Sequence, residues 1–306
     1  MPHSIELLEE GRRYEGHGVL DRALECYAAA ADSAVDPALV SQALTHQSRV
    51  YRCRSEWREA LDAARRAQDA ARLAGLGELL VEATIAEGNV FMCRGEFADA
   101  LVLFRGVLEA STDPRVRGIA LQNIGSILWQ QGQLGAAERA LSESFGWFQR
   151  ADYQLGAAIA LNNHGRVTLE RGNAELAKQL LTQALEAARA NEDAELIALV
   201  TLNYAEALAA LGDRIAAEEQ ASTALGYFAA SGNRWREIEC LRLIGTINEQ
   251  LINYADSHRC YSRALTIARE IGAKHDERLL QDCMARLLAH GAHSPSASST
   301  SAQRPA

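Results

Sequence analysis

A six-residue phrase returns along this chain at intervals of 37 or 40 residues: a small residue, a polar one, a large apolar one, two variable positions and a second small residue. It stands clearest at Gly95 to Ala100, Gly132 to Ala137, Gly172 to Ala177 and Gly212 to Ala217, with weaker copies at Gly18 to Ala23, Ser55 to Ala60 and Ile252 to Ser257. Seven residues before each copy stands another small residue: Gly11, Ser48, Gly88, Gly125, Gly165, Ala205 and Gly245. Seven residues after its last position come Ala30, Ala67, Val107, Ser144, Ala184, Ala224 and Ala264. An interval of seven returns to the same helical face, and small side chains let two helix backbones approach, so the register describes a repeated helical hairpin. Such units bury their apolar faces by stacking on neighbours, which rules out a single globular core.

The rest of the sequence agrees. Between Pro2 and Pro295 only Pro37 and Pro114 interrupt a run rich in Ala, Leu, Glu, Arg and Gln, the residues that lose least on entering a helix. Asp36-Pro37, Gly75-Leu76-Gly77, Asp113-Pro114, Asn191-Glu192-Asp193, Ser231-Gly232-Asn233 and Gly272 mark turns between units. The expected division is 4–36, 37–75, 76–113, 114–152, 153–192, 193–232 and 233–273, then a capping helix over 274–290. Residues 291–306, rich in Ser, Ala and Pro without apolar period, read as a disordered tail.

Ala23-x-x-x-Tyr27, Ala100-x-x-x-Phe104 and Ser257-x-x-x-Tyr261, taken with the Gly-led turn and the small residue of the preceding helix, resemble the tetratricopeptide repeat. The resemblance covers about residues 4 to 290 and departs from the 34-residue form in its longer period. Units of about 40 residues, with phrases such as Ala120-Leu121-Gln122-Asn123-Ile124-Gly125, are similar to the long repeats of kinesin light chain, of the Leu-Gly-Asn repeat proteins and of bacterial signalling regulators. This implies an all-α fold, a right-handed superhelical solenoid of about seven helix-turn-helix repeats whose first helices line a concave, partner-holding surface.

On that surface the residues two before each first-helix small residue are Glu9, His46, Ala86, Asn123, Asn163, Asn203 and Leu243; one after it stand Arg12, Arg49, Asn89, Ser126, Arg166, Glu206 and Thr246. Asn is a mediocre helix former, so Asn123, Asn163 and Asn203 at equivalent mid-helix places call for a reason. A primary amide offers both a donor and an acceptor to an extended peptide, and the resemblance places these three at the groove asparagines of long-repeat peptide binders. The competing reading has the amides bonding between adjacent first helices. Asn89, Ser126, Arg166 and Trp129 extend the candidate groove, and Arg12, Arg49 and Arg52 give its amino-terminal end a basic character suited to a carboxylate of the partner. Trp57 is expected in the core, as are Trp147 and Trp235. His46 and His164, on first helices, read as packed or solvated residues.

The formal charge of −9 opposes a sequence-independent grip on nucleic acid. The start Met1-Pro2-His3-Ser4 lacks a signal peptide's pattern and no apolar run is long enough to span a bilayer, so the expected location is the cytoplasm, with no membrane contact. Cys26, Cys53, Cys93, Cys240, Cys260 and Cys283 have neither disulfide nor zinc spacing and read as reduced packing residues. No phosphate loop, metalloprotease helix, nucleophile elbow or dinucleotide fingerprint occurs, so neither an enzyme nor a cofactor is expected. The expected function is a scaffold or adaptor binding a peptide segment of another protein. The alternative is a peptide- or effector-responsive sensor acting on a separate output protein. Strand or helix for the bound segment, and monomer or homo-oligomer for the chain, stay open.

Overall fold

The computed structural model describes residues 2–292. The tail expected over 291–306 lies outside them, except that the last helix continues to Ala292. Two compact units are present, Met1–Val167 and Thr168–Ala306.

Among the described residues there are fifteen helices and no strand. In the first unit these are α1 (Pro2–Gly16), α2 (Leu20–Ser33), α3 (Pro37–Cys53), α4 (Trp57–Ala74), α5 (Gly77–Arg94), α6 (Phe97–Ala110), α7 (Pro114–Gln130) and α8 (Leu134–Arg150), followed by α9 (Gln154–Glu170), within which the unit boundary falls. The second holds α10 (Ala174–Ala190), α11 (Ala194–Ala210), α12 (Arg214–Ser231), α13 (Arg234–Gln250), α14 (Tyr254–Glu270) and α15 (Lys274–Ala292). Helix starts follow local chemistry. Asp36 accepts from the Ala38 N–H at 2.9 Å, and Asp113 accepts from Arg115 N at 2.7 Å and Val116 N at 3.1 Å, each ahead of a proline that gives up no needed donor. The hairpin turns use left-handed glycines such as Gly95 at φ 78°, yet α13 and α14 are joined through Ile252 at φ 65°, a conformation that a β-branched residue rarely adopts.

Helices packed in sequence order form two layers. Within each unit the odd-numbered helices also touch one another (α1 with α3, α3 with α5, α5 with α7; α11 with α13, α13 with α15), whereas the even-numbered ones do not. The odd helices are therefore the inner layer.

The small-residue register has a steric cause. A Cβ on Gly11 would lie 2.6 Å from Tyr27 Cε1, on Gly88 2.8 Å from Phe104, on Gly125 2.7 Å from Leu141 Cγ, and on Gly245 2.6 Å from Tyr261 Cε1. Each large partner sits one turn into the second helix, four residues past the final small residue of the phrase, and is fully buried. Where that place holds Ala64, the first helix has Ser48, whose hydroxyl donates to Ala60 O at 2.8 Å; where it holds Ala221, the first helix has Ala205. Bulk is thus traded across the hairpin at constant spacing.

Candidate functional site: the inner face of the odd helices

The inner face of the first unit carries a ladder of polar contacts between neighbouring odd helices. Its first rung joins α1 to α3. Arg49 donates to both oxygens of Glu15, from Nε at 2.5 Å and from Nη2 at 2.6 Å, while Tyr27 donates its hydroxyl to Glu15 Oε2 at 2.7 Å. Burial raises the Glu15 pKa, but hydrogen bonds from Arg49 and Tyr27 and the Arg49 charge outweigh it, leaving the carboxyl below its ordinary value. The His46 ring stacks on Tyr27 with centroids 5.0 Å apart and planes 12° from parallel. Arg12 Nε donates to His46 Nε2 at 3.1 Å, and Arg49 Nη2 lies 2.7 Å from His46 Nδ1. Burial first, then the Arg49 and Arg12 charges, push His46 down to about 4.

Arg49 is therefore already neutralised by Glu15, a partner 34 residues away that spacing within one repeat does not reveal. Arg12, also exposed, gives its hydrogen bond to the His46 ring and not to Glu15, and Arg52 instead lies 3.7 Å from Cys93 Sγ on α5.

Further along, Asn123 Nδ2 on α7 donates to Asn89 Oδ1 on α5 at 2.9 Å. Ser126 spends its hydroxyl on Gln122 O at 3.0 Å, within its own helix. Asn163 Oδ1 accepts from Asn162 Nδ2 at 3.3 Å. The Arg166 guanidinium stacks over Trp129, 4.8 Å from the ring centroid, making Trp129 a half-buried part of this face. His164 lies 3.9 Å from Glu138, and burial holds its pKa below the ordinary value. In the second unit Asn203 is only 2% exposed, so this one of the three asparagines expected to line the groove is buried, among the closely packed residues of α11.

Several aromatic and thiol expectations change too. Trp235 is 57% exposed in the first turn of α13, and Trp147 is a half-buried ring carrying Arg117 at 4.7 Å and Arg150 at 4.5 Å. Trp57 is half-buried and lines a cavity of about 1080 Å³ with Ala28, Leu44, Tyr51 and Leu61, between α2, α3 and α4 rather than on the inner face. Cys53 and Cys93 are exposed at the ends of their helices; Cys26, Cys240 and Cys283 are buried, and every cysteine is free.

Among the described residues no three His, Cys, Asp or Glu side chains gather as a metal site, and no helix is long and apolar enough to cross a membrane.

Residues 116–190 match a family model described as tetratricopeptide repeat. The apo form of RapI resembles the chain with a TM-score of 0.66 at 16% identity, over 88% of this chain and 99% of that one. The chain has the fold of tetratricopeptide-repeat proteins. This repeat protein is similarly close to the apo form of the quorum sensor NprR from B. thuringiensis (TM-score 0.70, 13% identity, 86% of this chain and 76% of that one). It also resembles the Rap conjugation gene regulator of the plasmid pLS20 in complex with the Phr* peptide (TM-score 0.67, 16% identity, 87% and 74% covered). No curated protein matches the repeat protein.

Proposed function

We propose that this repeat protein is a non-catalytic interaction scaffold whose odd-numbered helices hold a peptide segment of another protein. The observation that carries the reading is the use of amides on the first unit's inner face. The Asn123–Asn89 bond takes one donor and one acceptor, leaving the Asn123 carbonyl oxygen and the Asn89 amino group on neighbouring helices. An acceptor beside a donor is what one residue of an extended backbone requires. The two readings of the asparagines thus merge: the amides brace the helices and still present a peptide-binding edge. The half-buried Arg166–Trp129 stack adds a preordered anchor with apolar and cationic faces. Support from likeness comes from the regulator bound to the Phr* peptide. The same proposal keeps the seven-unit division, with α15 as cap.

The test is a paired measurement. Partners captured from the source cell are identified by mass spectrometry, and a segment that binds the pure protein is titrated against it and against the Asn89→Ala/Asn123→Ala variant. At roughly 0.5 to 1.5 kcal/mol per lost hydrogen bond, affinity should weaken by about five-fold to a hundred-fold while the melting point stays nearly constant. A variant that melts much earlier but binds as before counts against the groove.

A second reading, favoured by the likeness to the quorum sensor, makes the chain the sensor of a separate output protein. It expects hydrogen exchange across the odd helices to slow on peptide binding and the affinity for the output protein to change with it; unchanged affinity removes this reading.

A further inference from the structure

The corner of Arg12, His46 and Arg49 is short of one hydrogen-bond acceptor. A neutral imidazole has one N–H and one lone pair, yet guanidinium nitrogens approach both ring nitrogens of His46, Arg12 at Nε2 and Arg49 at Nδ1. Whichever tautomer is present, one N–H of the ring faces an N–H of an arginine. Glu15 does not relieve the shortage. Its oxygens are taken by Arg49 and Tyr27, and its Oε2 is 3.9 Å from His46 Nδ1, beyond hydrogen-bond range. Glu15 is thus spent on Arg49 and Tyr27, and the Arg12 side chain gives its hydrogen bond to the imidazole, with the Glu82 carboxylate of α5 acting on Arg12 only through charge at longer range. The corner is open to a ligand: Arg12 is exposed and the Arg49 side chain is 47% exposed.

We propose that this corner is a carboxylate-binding site, which rests on the peptide-binding reading above in taking the carboxylate from the bound partner segment. A carboxylate seated there accepts from the Arg12 guanidinium and from the imidazole Nε2–H, while Nδ1 keeps its lone pair for Arg49. The ligand thereby fixes one tautomer and supplies the missing acceptor without any proton leaving the site. The groups facing His46 are the Tyr27 ring, Arg12, Arg49 and Glu15, so an added anion favours the imidazolium against the two arginines that now oppose it. An Asp or Glu side chain and a chain-terminal carboxylate offer the same group.

The experiment follows the His46 ring nitrogens by NMR in the full chain as pH is varied, with sodium formate against sodium chloride at equal ionic strength. Two peptides follow, one internal Glu with blocked ends and one Gln in its place with a free terminal carboxylate, beside a neutral blocked control. The expected result is an upward move of the His46 midpoint by about one pH unit with formate, and with whichever peptide carries the matching carboxylate. A rise in the Nε2–H tautomer should accompany it, and both should be lost in Arg12→Gln with its melting point retained. If formate and both peptides leave His46 unchanged, or if Arg12→Gln responds like the native chain, the site is refuted. Peptide binding detected by calorimetry with a silent His46 overturns this inference and leaves the scaffold reading standing. A formate response with no peptide binding keeps the carboxylate site and overturns a bound segment as the source of its carboxylate.

Discussion

The first and last hairpins of the chain are built on one latch and differ in what surrounds it. At the start, Tyr27 on α2 donates to Glu15 on α1, which holds Arg49 of α3; at the end, Tyr261 on α14 donates to Glu249 on α13 at 3.0 Å, which holds Arg286 of α15 through two bonds of 3.0 Å. Arg286 follows Ala285 as Arg49 follows Ser48, so the capping helix keeps the register of a first helix. The surroundings part at two places. Where the first latch has Arg12, the last has Thr246, whose hydroxyl lies 3.1 Å from the Tyr261 hydroxyl; where the first has His46, the last has buried Cys283. The closing latch sets one guanidinium, Arg286, on its carboxylate, and the opening one adds a second guanidinium, Arg12, beside a polar ring. One structural device serves both ends, and two positions turn one of them toward a ligand.

The largest effect should come from prying either latch apart. Gly11→Leu and Gly245→Leu each drive a side chain into a fully buried tyrosine ring, and each should cost about 1 to 3 kcal/mol in thermal unfolding followed by circular dichroism. Tolerance at one end alone would break the equivalence.

A pH series sharpens the difference. His46 titrates at 6.5 when unperturbed and at about 4 in the fold, so between those values the unfolded chain takes up a proton that the folded one refuses. Its contribution is present above 6.5 and lost as pH falls toward about 4, on the order of 1 to 3 kcal/mol. Glu15, whose folded pKa is lowered, adds a loss in the same direction at still lower pH. In His46→Gln the stability lost between 6.5 and about 4 should shrink, as read from urea midpoints; an unaltered slope would show that His46 is not held neutral.

The smallest effect concerns the hairpin turns. The first hairpin turns on Gly18 at φ 73° and the last on Ile252 at φ 65°, which is also 71% exposed. Ile252→Gly should raise stability by about 1 kcal/mol, and a lower melting point would mean that the isoleucine makes a contact that offsets its backbone cost.

Much of this architecture was legible beforehand. The periodic phrase, the small residue seven positions earlier and the Asp-Pro pairs identify the hairpins, because those signals act within one helix or one turn. Fold and inner-face positions follow from them. The state of the inner-face side chains did not. Asn123 and Asn203 occupy equivalent places, yet one is half-buried with a bond to Asn89 and the other is 2% exposed. Arg49 read as a free cation until Glu15 came into view from the neighbouring helix. Trp235 carries an apolar ring that composition assigns to a core, but its place in the first turn of α13 leaves it outside.

The sequence by itself determined the helices, their ends and the faces that meet within each hairpin, since propensity, capping and a seven-residue return are properties of a short stretch of backbone. Only the tertiary structure decided that Gly11 and Gly245 answer tyrosine rings while Ser48 and Ala205 answer alanines, and that Glu15 rather than a partner takes Arg49. The physical reason is reach. A side chain bonding across 34 residues depends on the distance and tilt between two neighbouring helices, and one turn of difference between the donor and acceptor positions exchanges a free guanidinium for a spent one.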